Sequence, residues 1–355
     1  MGALDAPAPN AVVEISVGGQ VSCVRLGSGS VWCWGNGNEG GLGDNTMAVR
    51  GLPGPTLLAV PAVALSTNDG GTCALTADGA AWCWGFNGVG QLGVGDLAIH
   101  RTPTLVPVPT SGIVELEVGN QIGCIRRMSG QVACAGSSNH IGITSDNTRF
   151  IDIPGLSDAI ALTGGDDFAC ALRANGSVAC FGKNFGGEFG NGTQVPSETP
   201  VPGPAGPYSV ISAGDTHVCA LRNGRVDCWG INSRGQLGTG MFANSFVPVE
   251  VAGIDDAVQL ATSADSTCVL HATGIVDCFG ADYTLGDGSL ADRAAPGPIP
   301  LDDIVEIDAH TSLHICARRR DATVWCWGGN GVDQIGAGGS LPAVVRLPTQ
   351  VIGLP

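Results

Sequence analysis

The chain has 355 residues, 44% hydrophobic and 14% charged, with a formal net charge of -16 and 56 glycines, 21 prolines and 14 cysteines. That acidity, with Lys183 as the lone lysine, excludes nucleic acid and anionic membrane surfaces as principal partners, because both are bound through clustered Lys and Arg. The glycine and proline content without any heptad or long amphipathic stretch describes a turn-rich all-β protein, and no stretch reaches the roughly 18 apolar residues needed to span a bilayer.

The opening "MGALDAPAPN" lacks the basic and apolar regions of a secretory leader, so it reads as a trimmed mature form or as a chain that is not exported. From Val12 to Val17 apolar residues alternate, which predicts a strand. Two further strands carry Cys23 and Cys33 around a turn at Gly29, and Trp32 and Trp34 flank the second cysteine. A glycine-rich tetrad follows, then an outer strand.

The second copy shows the geometry best. Pairing residues symmetrically from Cys73 and Cys83 leaves Ala77-Asp78-Gly79 as a three-residue loop, a type I turn with glycine in the left-handed position. Gly130, Gly176 and Gly274 hold the same place in the third, fourth and sixth copies. The third copy, with Cys124 and Cys134, has Ala135 where the others carry an aromatic; the fourth has Cys170, Cys180 and Phe181. In the fifth, Cys219 and Cys228 stand nine apart and the loop shortens to Asn223-Gly224, the preferred type I′ pair. The sixth carries Cys268 and Cys278, and the seventh Cys316 and Cys326 with Ala322 at the turn, where strain is expected.

The first cysteines are spaced by 50, 51, 46, 49, 49 and 48 residues, so one supersecondary unit repeats along the whole chain. Four short strands per unit, seven times over, predict an all-β, seven-bladed β-propeller of four-stranded antiparallel blades as a single domain. The closing "PTQVIGLP" supplies the segment missing ahead of the first strand, so the N- and C-terminal segments are expected to share one blade and close the ring.

Residues 214 to 240, "GDTHVCALRNGRVDCWGINSRGQLGTG", resemble the repeat of the regulator of chromosome condensation family, and the seven copies extend that resemblance over nearly all of the chain. It implies the same seven-bladed propeller. His217 and His314, two positions before a first cysteine, match the histidine of the family repeat and are expected to bond between blades rather than to hold a metal with His310. His100, His140 and His271 are isolated.

The paired cysteines fall opposite each other at a non-hydrogen-bonded position, where Cα atoms lie about 4.5 Å apart and a disulfide can form. Seven cross-strand disulfides are the natural reading, and reduced cysteines packed as small apolar side chains are the competitor. Metal ligation calls for closer ligand spacing and a redox role for a lowered thiol pKa, and neither is visible. Oxidised pairs in this number place the protein outside the cell, on its surface or in a periplasm. The tryptophans Trp32, Trp34, Trp82, Trp84, Trp229, Trp325 and Trp327 are assigned to the core between blades.

The chain carries no Gly-x-Ser-x-Gly elbow, no phosphate-binding Gly-x4-Gly-Lys-Ser/Thr loop and no His-Glu-x2-His, so no catalytic residue, cofactor or metal is assigned. Function is sought in the loop ahead of each first cysteine, the one place where a repeating scaffold varies. The candidates there are Gln20, Asp69, Asn120, Gln121, Asp166, Asp167, Asp215, Thr216, Asp265, Ser312 and Leu313. The chain is also similar to secreted propeller-type beta-lactamase inhibitory proteins, and that resemblance implies partner contacts in these loops, there made mostly by aromatics. Here five carboxylates stand instead, as either solvated loop acids, a calcium site or a surface for a basic protein. The expectation is a monomeric, exported bacterial propeller that recognises a protein partner. A guanine-nucleotide exchange factor and an enzyme-inhibitor propeller are the alternatives. The ultraviolet photoreceptor of the family is set aside because its Gly-Trp-Arg-His-Thr motif has no counterpart here.

Overall fold

A computed structural model describes residues 7–68, 70–107, 112–137 and 147–355. Their strands form seven four-stranded antiparallel sheets, each from consecutive strands, spanning residues 12–55, 62–105, 113–152, 159–202, 210–250, 257–298 and 304–350. These are blades 1 to 7. The first strand of each blade packs against the first strands of its two neighbours, and the seventh meets the first, so the first strands enclose a central channel.

The hairpins have the expected register. Cys23 faces Cys33, Cys73 faces Cys83, and so on through Cys316 and Cys326; all seven pairs are disulfide-bonded with Cα atoms 4.1 Å apart. The turn glycines adopt positive φ, +83° at Gly29 and +79° at Gly79, and Ala322 is forced to the same region at +68°. Asn223 and Gly224, at +52° and +79°, make the shorter turn.

The core lies between blades. Trp34, Trp84, Trp229 and Trp327 are fully buried, and each indole donates to a carbonyl in the tetrad of the preceding blade: Gln334, Gly41, Glu188 and Thr284, at 2.8 to 2.9 Å. The closing glycine of that tetrad lies flat on the indole. A Cβ on Gly43, Gly190 or Gly286 would stand 2.7 to 2.8 Å from the ring nitrogen, so the tetrad is a packing device. Blade 3, which has only Ala135, supplies Phe150 from its fourth strand against Gly93 instead. Trp32, Trp82 and Trp325 depart from the expectation: nearer the hairpin turn, they are only half-buried.

The ring closes through packing. Val12, Ile15 and Trp34 of blade 1 share one cluster with Val324, Ile335 and Val345 of blade 7 and with Val351, and Leu354 packs on it. Among the described residues, no sheet mixes strands from both ends of the chain. The closing segment is divided: residues 348–350 end the fourth strand of blade 7, Val344–Gln350, and Val351 and Leu354 beyond it pack with Val12, Ile15 and Trp34 of blade 1, which is consistent with the expected closure of the ring by its two terminal segments.

A first strand would leave edge N–H groups bare toward the preceding blade, and at six of the seven junctions a side chain of that blade covers one or more of them. Ser66 accepts from Val118 N (3.0 Å), Thr163 from Ala213 N (2.9 Å) and Gln259 from Ile307 N (3.0 Å). At other junctions acids do this: Glu14 for Leu65 N, Glu115 for Leu162 N, Glu117 for Gly164 N, Glu306 for Ile15 N and Asp308 for Val17 N.

Burial raises Glu117 to about 8, with neighbouring Glu115 adding to it, and burial raises Asp308 to about 7. Folded, these groups hold protons that an unfolded chain releases above about 4, so their contribution to stability is lost as pH rises toward 8. Buried His217 and His314, lowered to about 3, act oppositely. They stay neutral while unfolded histidine protonates below about 6.5, so their contribution is lost as pH falls below that value. The two pairs offset one another between about pH 4.5 and 6, and the melting temperature is therefore expected to decline from about pH 6 toward pH 8. Glu117→Gln keeps the acceptor for Gly164 and should remove much of the decline, on the order of 1 kcal/mol per pH unit. Melts at constant ionic strength check this; an unchanged slope in the variant contradicts it.

Candidate functional site

Because the second strand starts where the third ends, the loop ahead of the first cysteine and the long loop after the second cysteine emerge on one face. The hairpin turns lie on the other. The first face carries the sequence candidates.

The two histidines of the repeat are buried beneath it. His217 Nε2 meets Thr267 Oγ1 at 2.9 Å and His314 Nε2 meets Ser22 Oγ at 2.6 Å, each across a blade junction. The hydroxyls pass the bond on to the Gln236 and Gln334 carbonyls. They are neutral spacers that tie neighbouring blades. His310 points elsewhere, its Nδ1 lying 3.4 Å from Glu117 in the channel. His140 lies outside the described residues.

The candidates divide three ways. Asp166 is exposed and accepts from Asn120 Nδ2 at 3.0 Å, tying the rims of blades 3 and 4. Gln121, Asp215 and Thr216 are half-exposed, and Leu313 is exposed. Gln20 is engaged by Asn36 Nδ2 at 2.6 Å and Asp265 by the Tyr283 hydroxyl at 2.9 Å, whose ionisation burial and that acid suppress. Asp167 is buried and paired with Lys183, and Ser312 is wholly buried, its hydroxyl donating to the Ala309 and His314 carbonyls. Those last two hold loops and do not face solvent. Asp69 lies outside the described residues.

Two grooves meet at Asp166. One, about 220 Å³, runs between Glu39, Phe86, Asn120 and Gln121; the other, about 330 Å³, between Phe185, Ile231, Asp215 and Thr216. Phe185 is 63% exposed and acids flank it. Beside it the carboxyl of Glu188, which takes the tetrad's glutamine position, is buried against Gly186 N and has a raised pKa because of that burial.

The aromatics that sequence reasoning found missing are therefore present, delivered by the second loop. Phe86 and Ile231 directly follow the Trp-Gly pairs at 84–85 and 229–230. That position reads Asn36, Phe86, Ser137, Lys183, Ile231, Ala281 and Gly329 around the ring, so its variation on a repeating scaffold was the signal to follow.

Among the described residues no group of three His, Cys, Asp or Glu side chains is arranged to hold a metal ion. No described helix is long and apolar enough to cross a membrane.

Family models described as the regulator of chromosome condensation (RCC1) repeat match residues 78–125 and 223–270, and residues 12–40, 62–91 and 209–236. No curated protein sequence matches the chain. Among solved structures it is similar to yeast RCC1 (Prp20) bound to Kap60, at 18% identity and a TM-score of 0.81 over 97% of this chain and 85% of that one. Prp20p of Saccharomyces cerevisiae, described with its binding to Gsp1p and histones, gives 19% and 0.81 over 97% and 88%. Human WBSCR16 gives 19% and 0.82 over 92% and 96%.

Proposed function

The chain belongs to the regulator of chromosome condensation repeat family, and from that premise we propose that it is a non-enzymatic, exported, monomeric recognition propeller that binds a basic protein surface through its loop-bearing rim. One observation carries this: exposed Phe185 stands in a groove walled by Asp166 and Asp215. An aromatic anchor enclosed by acids suits a partner's Lys or Arg, whose stem packs on the ring while its charge meets the carboxylates. Protein binding by Prp20, described with Kap60, Gsp1p and histones, supports an interaction role. The disulfides fit an oxidising compartment and support export.

The test uses a partner captured by the wild-type protein. Phe185→Ala with Asp166→Asn and Asp215→Asn is expected to weaken its binding by about tenfold or more, and association is expected to slow with added salt. Undiminished binding by the triple variant, with the fold intact by circular dichroism, overturns the assignment. The second reading, a regulator that speeds nucleotide release from a small GTPase, rests on the family resemblance, and a nucleotide-release assay separates it from display alone.

A further inference from the structure

Each of the two grooves that meet at Asp166 sets one aromatic ring between two acids. In the smaller groove, Glu39 of blade 1, Phe86 of blade 2 and Asp166 of blade 4 line one space. In the larger, Asp166, Phe185 of blade 4 and Asp215 of blade 5 do so. Taken in blade order, acid and ring alternate along the rim, and the middle acid belongs to both grooves.

Close packing on glycines holds these parts in place. A Cβ on Gly70 would stand 2.4 Å from Glu39 Oε2 and 3.0 Å from Phe86 Cβ, so the Glu39 carboxylate reaches from blade 1 over the rim of blade 2 and stops beside the phenylalanine. The Phe86 ring lies on Gly88, where a Cβ would meet Cζ at 2.6 Å, and Ile231 of blade 5 lies on Gly186, next to Phe185, where a Cβ would meet its Cγ1 at 2.7 Å. Side chains at those glycines would fill the grooves.

The charge of the grooves is one-sided. Asp166 is exposed and takes its hydrogen bond from Asn120 Nδ2 at 3.0 Å, a neutral amide rather than a cation. Glu39 is exposed and Asp215 half-exposed. Among the described residues the lining of the smaller groove has no lysine or arginine, and Lys183, the one on the larger, is paired with Asp167.

A ring flanked by acids suits one Lys or Arg, its stem on the ring and its charge between the carboxylates. The volumes of about 220 and 330 Å³ correspond to about seven and eleven waters at roughly 30 Å³ each, room for one long side chain and for no folded element. Because Asp166 lines both grooves, an occupant of one passes over it into the other, and a chain on that path is extended. We propose that the rim binds an extended polypeptide segment carrying two cationic side chains, one seated at Phe86 between Glu39 and Asp166, the other at Phe185 between Asp166 and Asp215. This rests on the reading of the rim as a surface for a basic partner, and adds to it the second groove and the form of the ligand.

Fluorescence anisotropy of the intact protein with labelled Gly/Ser peptides of about a dozen residues tests it, using two arginines at increasing separations and, beside them, a single arginine. Affinity is expected to peak at one intermediate separation, at least about tenfold above the single-arginine peptide, because the second contact becomes intramolecular. General attraction to a chain of net charge -16 gives no such optimum. Phe86→Ala should bring the best peptide to the level of the single-arginine one, as should Phe185→Ala, and Glu39→Gln serves where Phe86→Ala does not fold. Asp166→Asn should weaken both kinds of peptide. Asp321→Asn removes the same charge from an exposed hairpin turn on the opposite face and should bind as the wild type does. A loss in Phe185→Ala with none in folded Phe86→Ala or in Glu39→Gln keeps the single groove of the rim reading and overturns the two-groove proposal. Affinity independent of separation, or absence of binding by every peptide, overturns it too, while the captured partner still decides the rim reading by itself.

Discussion

Reduction of the seven disulfides is expected to unfold the protein, or to lower its melting temperature by tens of degrees. Each bond closes a hairpin of nine or ten residues, and the chain-entropy relation gives such a loop about 2 to 3 kcal/mol. Even half of that, taken over seven blades, is comparable with the whole stability of an ordinary domain, about 5 to 15 kcal/mol. The hairpins hold the same pairs in register that carry the inter-blade core, so losing the bonds also loosens the strands on which Trp34, Trp84, Trp229 and Trp327 are mounted. The measurement is a circular dichroism melt with and without dithiothreitol, alongside thiol titration of the denatured, unreduced protein. No free thiols and a large drop on reduction are expected. Fourteen reactive thiols in protein purified without reductant would remove both the disulfides and the argument for export.

Trp327→Ala is expected to cost about 3 to 5 kcal/mol from the cavity alone, with a further 1 to 3 kcal/mol because the Thr284 carbonyl loses its donor. The side chain is completely buried between blades 6 and 7 and lies against Gly286, whose φ of +72° leaves little freedom to collapse into the space. Trp327→Phe should recover much of the packing but not the hydrogen bond, as blade 6 illustrates with Phe279 against Gly238. Denaturant titration of the three proteins checks the order wild type, Phe, Ala; equal midpoints would show that the inter-blade indoles are not what holds the ring.

Much of this was legible beforehand because a repeat multiplies every local signal. The cysteine spacing gave hairpin register, Gly29 and its counterparts gave the turn, and the alternation at Val12–Val17 gave the first strand. The seam shows where such signals end. A sequence shows that "PTQVIGLP" resembles a linker between repeats, but that its first three residues complete the strand Val344–Gln350 while Val351 and Leu354 turn into the seam depends on the space left by Val12 and Trp34.

The site was half legible for a similar reason. Variation within a repeat pointed to Asp166, Asp215 and Thr216, and they do line one groove. It could not show that Asp167 turns inward to Lys183 or that Ser312 is consumed in pinning its own loop, because exposure is decided by neighbours that the repeat period does not reveal. Phe185 and Phe86 went unseen since they lie more than a dozen residues downstream and reach the same rim only when the third strand returns beside the second.

By itself, then, the sequence determined the repeat count, the blade hairpins and the cysteine pairing, all set by local pairing over a dozen residues. Tertiary structure decided what faces the channel and the rim: that His310 meets Glu117 across the ring, that Phe185 stands among acids, and that Glu117 and Asp308 have cysteines rather than arginines opposite them. Those contacts join residues from different blades, and only closure of the ring brings them together.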